Sequence, residues 1–280
     1  MEISDGAVRT LAGLLKARTG QQLALGRRWR IDTVLRPLIE QHGIPSLDEL
    51  VYRIVSGRDA ALADEAIEAL LNHETFFYRD LQAFRLLDEQ GLGRLHAARS
   101  DTRRLRIWSA GCSTGQEAYT IAMMISERPD RWRGWTIDIL GTDLSPAAVE
   151  RARLGRYSHF EIQRGLPVAQ MLRRFDRDGE HWQASSLLRQ AVQFRVHNLL
   201  TPPPVGLFDV VLCRNVLFYF SPDVRTLVFG RIAGAIQADG VLMLGAGETA
   251  MGQTDAFVSD FEARGLYRKR IHASTAAALH

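Results

Sequence analysis

Leu105-Arg106-Ile107-Trp108-Ser109-Ala110-Gly111-Cys112-Ser113-Thr114-Gly115-Gln116-Glu117 is the stretch that decides the fold. Its apolar first half reads as a short buried strand. Small residues from Gly111 to Gly115 then make a turn, and a helix is predicted from Gly115 to about Arg128. Small residues at a strand-to-helix turn let a ligand approach the backbone closely. The helix N-terminus favours an anionic group such as a carboxylate. The pattern is neither G-x-G-x-x-G nor the Walker sequence, and it lacks the Lys that a nucleotide triphosphate would want. A zwitterionic ligand with one carboxylate fits better. A tight turn with no ligand would read the same way.

Toward the C-terminus the rhythm repeats. TIDILGTD (136–143) is a second strand, followed by the helix SPAAVERARLG with Ser145 as N-cap and Pro146 at its first position. VQFRVHNLL (192–200) is a third strand, and FDVVLCRN (208–215) a fourth, apolar enough to be buried in a parallel sheet. A helix over 222–238, ended by Asp239-Gly240, leads into GVLMLGAGE as the fifth strand. Alternating strands and helices imply a parallel sheet with helices on both faces. Between Tyr157 and Val192 the rhythm breaks. FDRDGEHWQAS predicts a hairpin turning at Asp178-Gly179, hence a small antiparallel insertion at about 160–192. Two strand ends offer chemistry. Asp143, 32 residues beyond Gly111 in the numbering, stands where an acid can accept from both ribose hydroxyls, or where it could simply cap the next helix. Asn215 ends the fourth strand, and a buried amide there would need partners. Tyr219 would sit beside a bound nucleoside, whereas Phe218 and Phe220 read as core.

Toward the N-terminus the period changes. Residues 1 to about 90 carry helical spacing, as in Ile31/Val34/Leu35/Leu38 and Leu62/Ala66/Ala69/Leu70, punctuated by Gly20, Gly43 and Gly57. About four helices are predicted. Domains are accordingly placed at 1–88, helical, and 89–280, α/β. Arg27, Arg28, Arg30 and Arg36 cluster around a single acid, Asp32. A net charge of +3 is too small to imply nucleic acid. No apolar run approaches the roughly 18 residues of a membrane span, and the start MEISDGAVRT lacks the features of a secretory signal. Cys112 and Cys213 lie in no metal pattern, so no metal is expected, and two free thiols suit a reducing, cytoplasmic compartment.

Five segments, in order, resemble the CheR-type chemotaxis receptor (protein-glutamate) methyltransferases: NHETFFYRD from Asn72, SAGCSTGQEAYTIAM from Ser109, GTDLSPAAVERARLGRYS from Gly141, FRVHNLL from Phe194 and FDVVLCRNVLFYF from Phe208. They span most of residues 65–250. The resemblance implies an α/β, Rossmann-like class I methyltransferase with a doubly wound sheet and a small antiparallel β insertion, preceded by a small all-α N-terminal domain. It implies S-adenosylmethionine as methyl donor, S-adenosylhomocysteine as product, and glutamates of methyl-accepting chemotaxis receptors as acceptors. Carried over by position, it assigns cofactor contacts to Thr75, Arg79, Glu117, Asp143, Asn198, Leu199, Asn215 and Val216. It adds His73 at a position where many members carry Asn. Arg79 and Tyr219 are the candidates for shaping the reacting geometry. Arg79 could fork onto a carboxylate, or merely pair with Asp80 or Glu74. The basic helix bearing Arg27, Arg28, Arg30 and Arg36 is expected to meet the acidic helices of the receptor, or else to be a solvated face. A short hairpin without a Gly-rich loop implies binding that does not use a receptor tail, and a monomer is expected.

Two other readings stay open. A nucleic-acid methyltransferase on this fold would usually carry [DN]-P-P-[YFW] after the fourth strand, where CRNVLFYF stands, and Cys213 has no preceding Pro. A module that binds cofactor and a signalling partner with little turnover would keep the same site residues.

Overall fold

The computed structural model describes residues 4–23, 28–57, 59–263 and 265–270. The chain divides into two compact units, 1–73 with 219–224, and 74–218 with 225–280.

The first unit holds α1 (Asp5–Thr19), α2 (Arg28–Gln41), α3 (Leu47–Val55) and α4 (Ala60–Leu70), the four helices expected. Their starts are written locally: Ser4, Ser46 and Asp59 accept from the backbone N–H groups of Ala7, Glu49 and Leu62. Gly20, Gly43 and Gly57 fall at the helix ends, all with positive φ. Leu47, Leu50, Val51 and Ile54 of α3 are buried, each worth about 1.5–3 kcal/mol of transfer free energy. Ile31 and Leu35 of α2 are buried as their spacing predicts.

The second unit is built on a seven-stranded sheet. Its strands are β1 (Arg104–Ala110), β2 (Thr136–Asp143), β6 (Val192–Val196), β7 (Phe208–Cys213), β8 (Ile236–Leu244), β9 (Phe257–Ser259) and β10 (Leu266–Lys269), in the order β6-β2-β1-β7-β8-β10-β9. The first five are mutually parallel, and β10 and β9 close the far side antiparallel. All six residues of β7 are buried, as a central parallel strand demands. From β1 the chain first steps outward to β2 and β6, then returns to β7 on the other side. The order therefore reverses between β1 and β7, and such a reversal opens a crevice at the carboxyl ends of the strands. Helices α5 (Leu81–Leu86) and α6 (Gly93–Ala98) precede β1, α7 (Gln116–Ser126) and α8 (Pro129–Trp132) follow it, and α9 (Pro146–Leu154) follows β2. Ser145 caps α9 through Ala148 N, with Pro146 at the first position.

Several sequence expectations are corrected. The domain boundary lies after His73 rather than at 88, because 74–88 buries Phe77, Tyr78, Phe84 and Leu87 in the core that also holds Leu105 and Tyr119. The insertion begins earlier than 160. A three-stranded antiparallel sheet unites β3 (Arg156–Ser158), β4 (Phe175–Asp178) and β5 (His181–Ala184). Asp178 pairs with His181, so the hairpin turns at Gly179-Glu180, one residue beyond the predicted pair. The third parallel strand stops at Val196, because the Asn198 side chain accepts from Leu200 N and makes a turn. Asp239-Gly240 lies inside β8, at a register irregularity against β7, rather than ending a helix. The short strands β9 and β10 gave no period long enough to read.

Candidate active site

The crevice between β1 and β7 is shaped by two loops that touch. Gly111, immediately after β1, has φ +85°. A Cβ placed there would lie 2.5 Å from Val216 Cγ2, on the loop after β7. Only glycine satisfies both the left-handed backbone and this approach. Gly111→Ala is expected to lower the stability of this unit by about 2–4 kcal/mol, from backbone strain plus overpacking. Thermal unfolding would show the loss, and adding Val216→Ala should recover the overpacking part of it.

The turn is then pinned from β2. Gly111 N and Cys112 N both donate to Thr142 O, at 2.8 and 2.9 Å. Asp143 Oδ2 accepts from Ser113 N at 2.7 Å, and its Oδ1 from Ser145 N at 3.0 Å. Since Ser145 does the capping of α9, Asp143 is not the cap. It is a half-buried carboxylate at the strand end that still has lone pairs to offer. The peptide after β6 reaches the same place, with His197 N donating to Asp143 O at 2.8 Å, which sets Asn198 and Leu199 beside β2.

Glu117 stands in the first turn of α7. Its Oε1 accepts from Ser109 Oγ at 2.7 Å and its Oε2 from Arg214 Nη1 at 3.0 Å. Cys112 lies among these acids. Burial first, then the charges of Asp143 and Glu117, push its thiol well up. Burial does the same to Cys213, with Glu248 and Glu117 adding to it. Both cysteines are buried, and burial disfavours the thiolate that cytosine-methylating chemistry needs.

Segment 74–80 supplies Thr75 and Arg79, both half-buried. Arg79 Nη1 donates to Glu74 O at 3.0 Å and its guanidinium lies over the Phe76 ring. The two carboxylates that could have neutralised it are taken by other arginines: Glu74 pairs with Arg164 at 2.7 Å, and Asp80 with Arg214 at 2.7 Å. Among the described residues no ion pair joins Arg79 to Glu74 or Asp80.

Asn215 has φ +59°, held by a feature the sequence reading missed. The Glu248 carboxylate, half-buried after β8, accepts from Asn215 N, Val216 N, Leu217 N and Gly245 N at 2.7–2.9 Å. Arg214 and Asp80 were likewise not singled out. Of the five non-glycine residues with positive φ among the described residues, four lie in these loops: Tyr78, Asp80, Ser113 and Asn215. Each costs on the order of 1–3 kcal/mol, and such strain concentrates where a ligand must be met.

His73 and Tyr219 belong to the first unit. There His73 Nε2 lies 3.6 Å from Glu68 Oε1, and the Tyr219 hydroxyl accepts from the Asn72 amide. In α2, Arg30 is half-buried and Arg36 pairs with Asp32. Arg28 opens that helix, and Arg27 lies outside the described residues. Phe218 was expected in the core but is 51% exposed, whereas Phe220 is buried. Among the described residues no helix is long and apolar enough to cross a membrane.

The donor set fits a nucleoside that carries a cationic amino-acid side arm. Asp143 at the end of β2 can receive ribose hydroxyls, and the Asp143 and Glu117 carboxylates favour positive charge. With the sheet order, this defines a Rossmann-like class I methyltransferase dependent on S-adenosylmethionine. Residues 73–264 match the family described as "CheR methyltransferase, SAM binding domain". The chain belongs to that family. A "Chemotaxis protein methyltransferase" of Vibrio parahaemolyticus is 33% identical, over 91% of this chain and 93% of that protein. "Chemotaxis protein methyltransferase 1" of Pseudomonas aeruginosa is 38% identical, over 84% and 86%. A "Chemotaxis protein methyltransferase" of Listeria monocytogenes is 35% identical, over 71% and 73%. Among solved structures, "The structure of LepI complex with SAM" is similar at 13% identity and a TM-score of 0.41, over 82% of this chain and 51% of that one, too slight a likeness to bear on function.

Proposed function

We propose that this protein transfers the methyl group of S-adenosylmethionine to glutamate side-chain carboxylates of methyl-accepting chemotaxis receptors, in the cytoplasm and as a monomer. The names of the relatives support the receptor as acceptor. The observation that carries a carboxylate acceptor is Arg79, a guanidinium whose neighbouring acids are both committed elsewhere. It can fork onto a carboxylate, the acceptor's or the cofactor's.

When bound, the cofactor supplies a methyl group on a sulfonium, so that an O–CH3 bond forms as the CH3–S bond breaks and the electron pair leaves with sulfur as a neutral thioether. A glutamate is already ionised at pH 7, so no residue need remove a proton. The protein's task is then orientation and exclusion of water from a cation meeting an anion. In this reading Asp143 receives the ribose hydroxyls. His73, Thr75, Arg79, Glu117, Asn198, Leu199, Asn215 and Val216 complete the cofactor's surroundings. Arg79 and Tyr219 align the acceptor. Arg27, Arg28, Arg30 and Arg36 steer the acidic receptor helices.

The test is incubation with methyl-labelled S-adenosylmethionine and receptor-containing membranes, followed by mild base. Release of the label as methanol is expected, the mark of a carboxyl ester. Label that resists base would mean nitrogen or carbon methylation and would overturn the glutamate assignment.

A further inference from the structure

Arg214 is the most enclosed charge in the second unit's active-site region. Its side chain is 1% exposed. It reaches three groups from two separate stretches of chain. Nη1 donates to Glu117 Oε2 at 3.0 Å. Nη2 donates to Asp80 Oδ2 at 2.7 Å and to Arg79 O at 2.8 Å. Its Cζ lies 4.9 Å from the centre of the Phe84 ring. A guanidinium is suited to this because its fork holds several acceptors in fixed directions, which an ammonium does not. Burial without full satisfaction is costly, and Nε has no hydrogen-bond partner among the described residues.

Asp80 shows that the arrangement displaces ordinary helix chemistry. It stands at the N-cap of α5 (Leu81–Leu86), where an aspartate would normally accept from the first backbone N–H groups. Its side chain makes no such cap, and its carboxylate goes to Arg214 instead. Tyr78 and Asp80, flanking Arg79, both have positive φ, and Tyr78 N is held by Thr120 Oγ1 of α7 at 3.1 Å. Arg79 is thus presented from a strained segment fastened on one side by α7 and on the other by Arg214. The same guanidinium fixes the Glu117 carboxylate.

We infer that Arg214 is a positioning residue for methyl transfer: by clamping Glu117 to the Arg79-Asp80 peptide it sets the separation of the two sides of the cofactor site. This rests on the reading of Thr75, Arg79 and Glu117 as cofactor contacts. In this reading Arg214 acts through Arg79, Asp80 and Glu117.

The experiment measures S-adenosylhomocysteine binding by calorimetry, together with the melting point of the free protein, for Arg214→Lys, Asp80→Asn and Glu117→Gln and for the double variant Arg214→Lys/Glu117→Gln. Arg214→Lys keeps the charge and loses the fork. It should weaken binding by about 10- to 100-fold, the scale of a displaced contact group. Asp80→Asn should weaken it in the same direction. The double variant should lose less than the product of the two single losses, since both act through one contact. Wild-type affinity in Arg214→Lys and Asp80→Asn, or a double loss equal to the product, would overturn the inference. Should Arg214→Lys fail to fold, Asp80→Asn decides by the same binding measurement. A wild-type protein that binds S-adenosylhomocysteine but methylates something other than a carboxylate would remove the proposed acceptor and leave this inference standing.

Discussion

Asp143→Ala should bind S-adenosylhomocysteine at least about 100-fold more weakly than the wild type, while still folding. The expected loss has two parts. In the proposed site the carboxylate accepts both ribose hydroxyls, and hydrogen bonds to a charged group are worth about 1.5–3 kcal/mol each. About 2.7 kcal/mol already corresponds to 100-fold. The same carboxylate accepts from Ser113 N and Ser145 N, so its removal also releases the turn at Ser113, which sits at φ +50°. Asp143→Asn keeps an acceptor in place but loses the charge, and it should fall between the two. Calorimetric titration measures both, with the melting point of the free protein as the control for folding. Unchanged affinity in Asp143→Ala would remove the end of β2 from the cofactor site, whatever the activity.

Glu248→Ala should lower stability by about 3 kcal/mol, or roughly 10 °C in the unfolding of the second unit. Four backbone N–H groups converge on this one carboxylate. Half-buried, it leaves water only partial access to replace those bonds. Asn215, at φ +59°, then has nothing to hold its conformation, so S-adenosylhomocysteine affinity should fall together with stability. Glu248→Gln supplies one carbonyl oxygen for what two carboxylate oxygens did, and should lose about half as much. A melting point within about 2 °C of wild type for Glu248→Ala would show that the loop after β7 is held by packing alone.

Legibility followed the range of the interaction. Strands at 105–110, 136–143 and 208–213 could be read because each holds a short buried apolar stretch, Ile107-Trp108, Ile139-Leu140 and Val210–Cys213, too brief for a helix. The caps at Ser145 and Pro146 could be read because a cap is settled within three residues. Asp143 and Asn215 were found because strand ends in such a sheet face the crevice. Glu248 was not found, since nothing near it in sequence shows that its donors belong to residues 31 to 33 positions earlier. Nor could spacing reveal that Asp80 goes to Arg214, 134 residues away, rather than to its neighbour Arg79.

By itself the sequence determined the succession of elements: a helical start, then a parallel α/β sheet with an antiparallel insertion, and the family to which those segments belong. Backbone periodicity and capping are local, and five ordered segments are specific. The tertiary structure alone decided that residues 74–88 join the sheet unit, that Gly111 meets Val216, and which carboxylate each arginine takes. Those outcomes depend on which groups the fold buries side by side. A buried charge or N–H must find a partner wherever the chain supplies one, at any distance along the sequence.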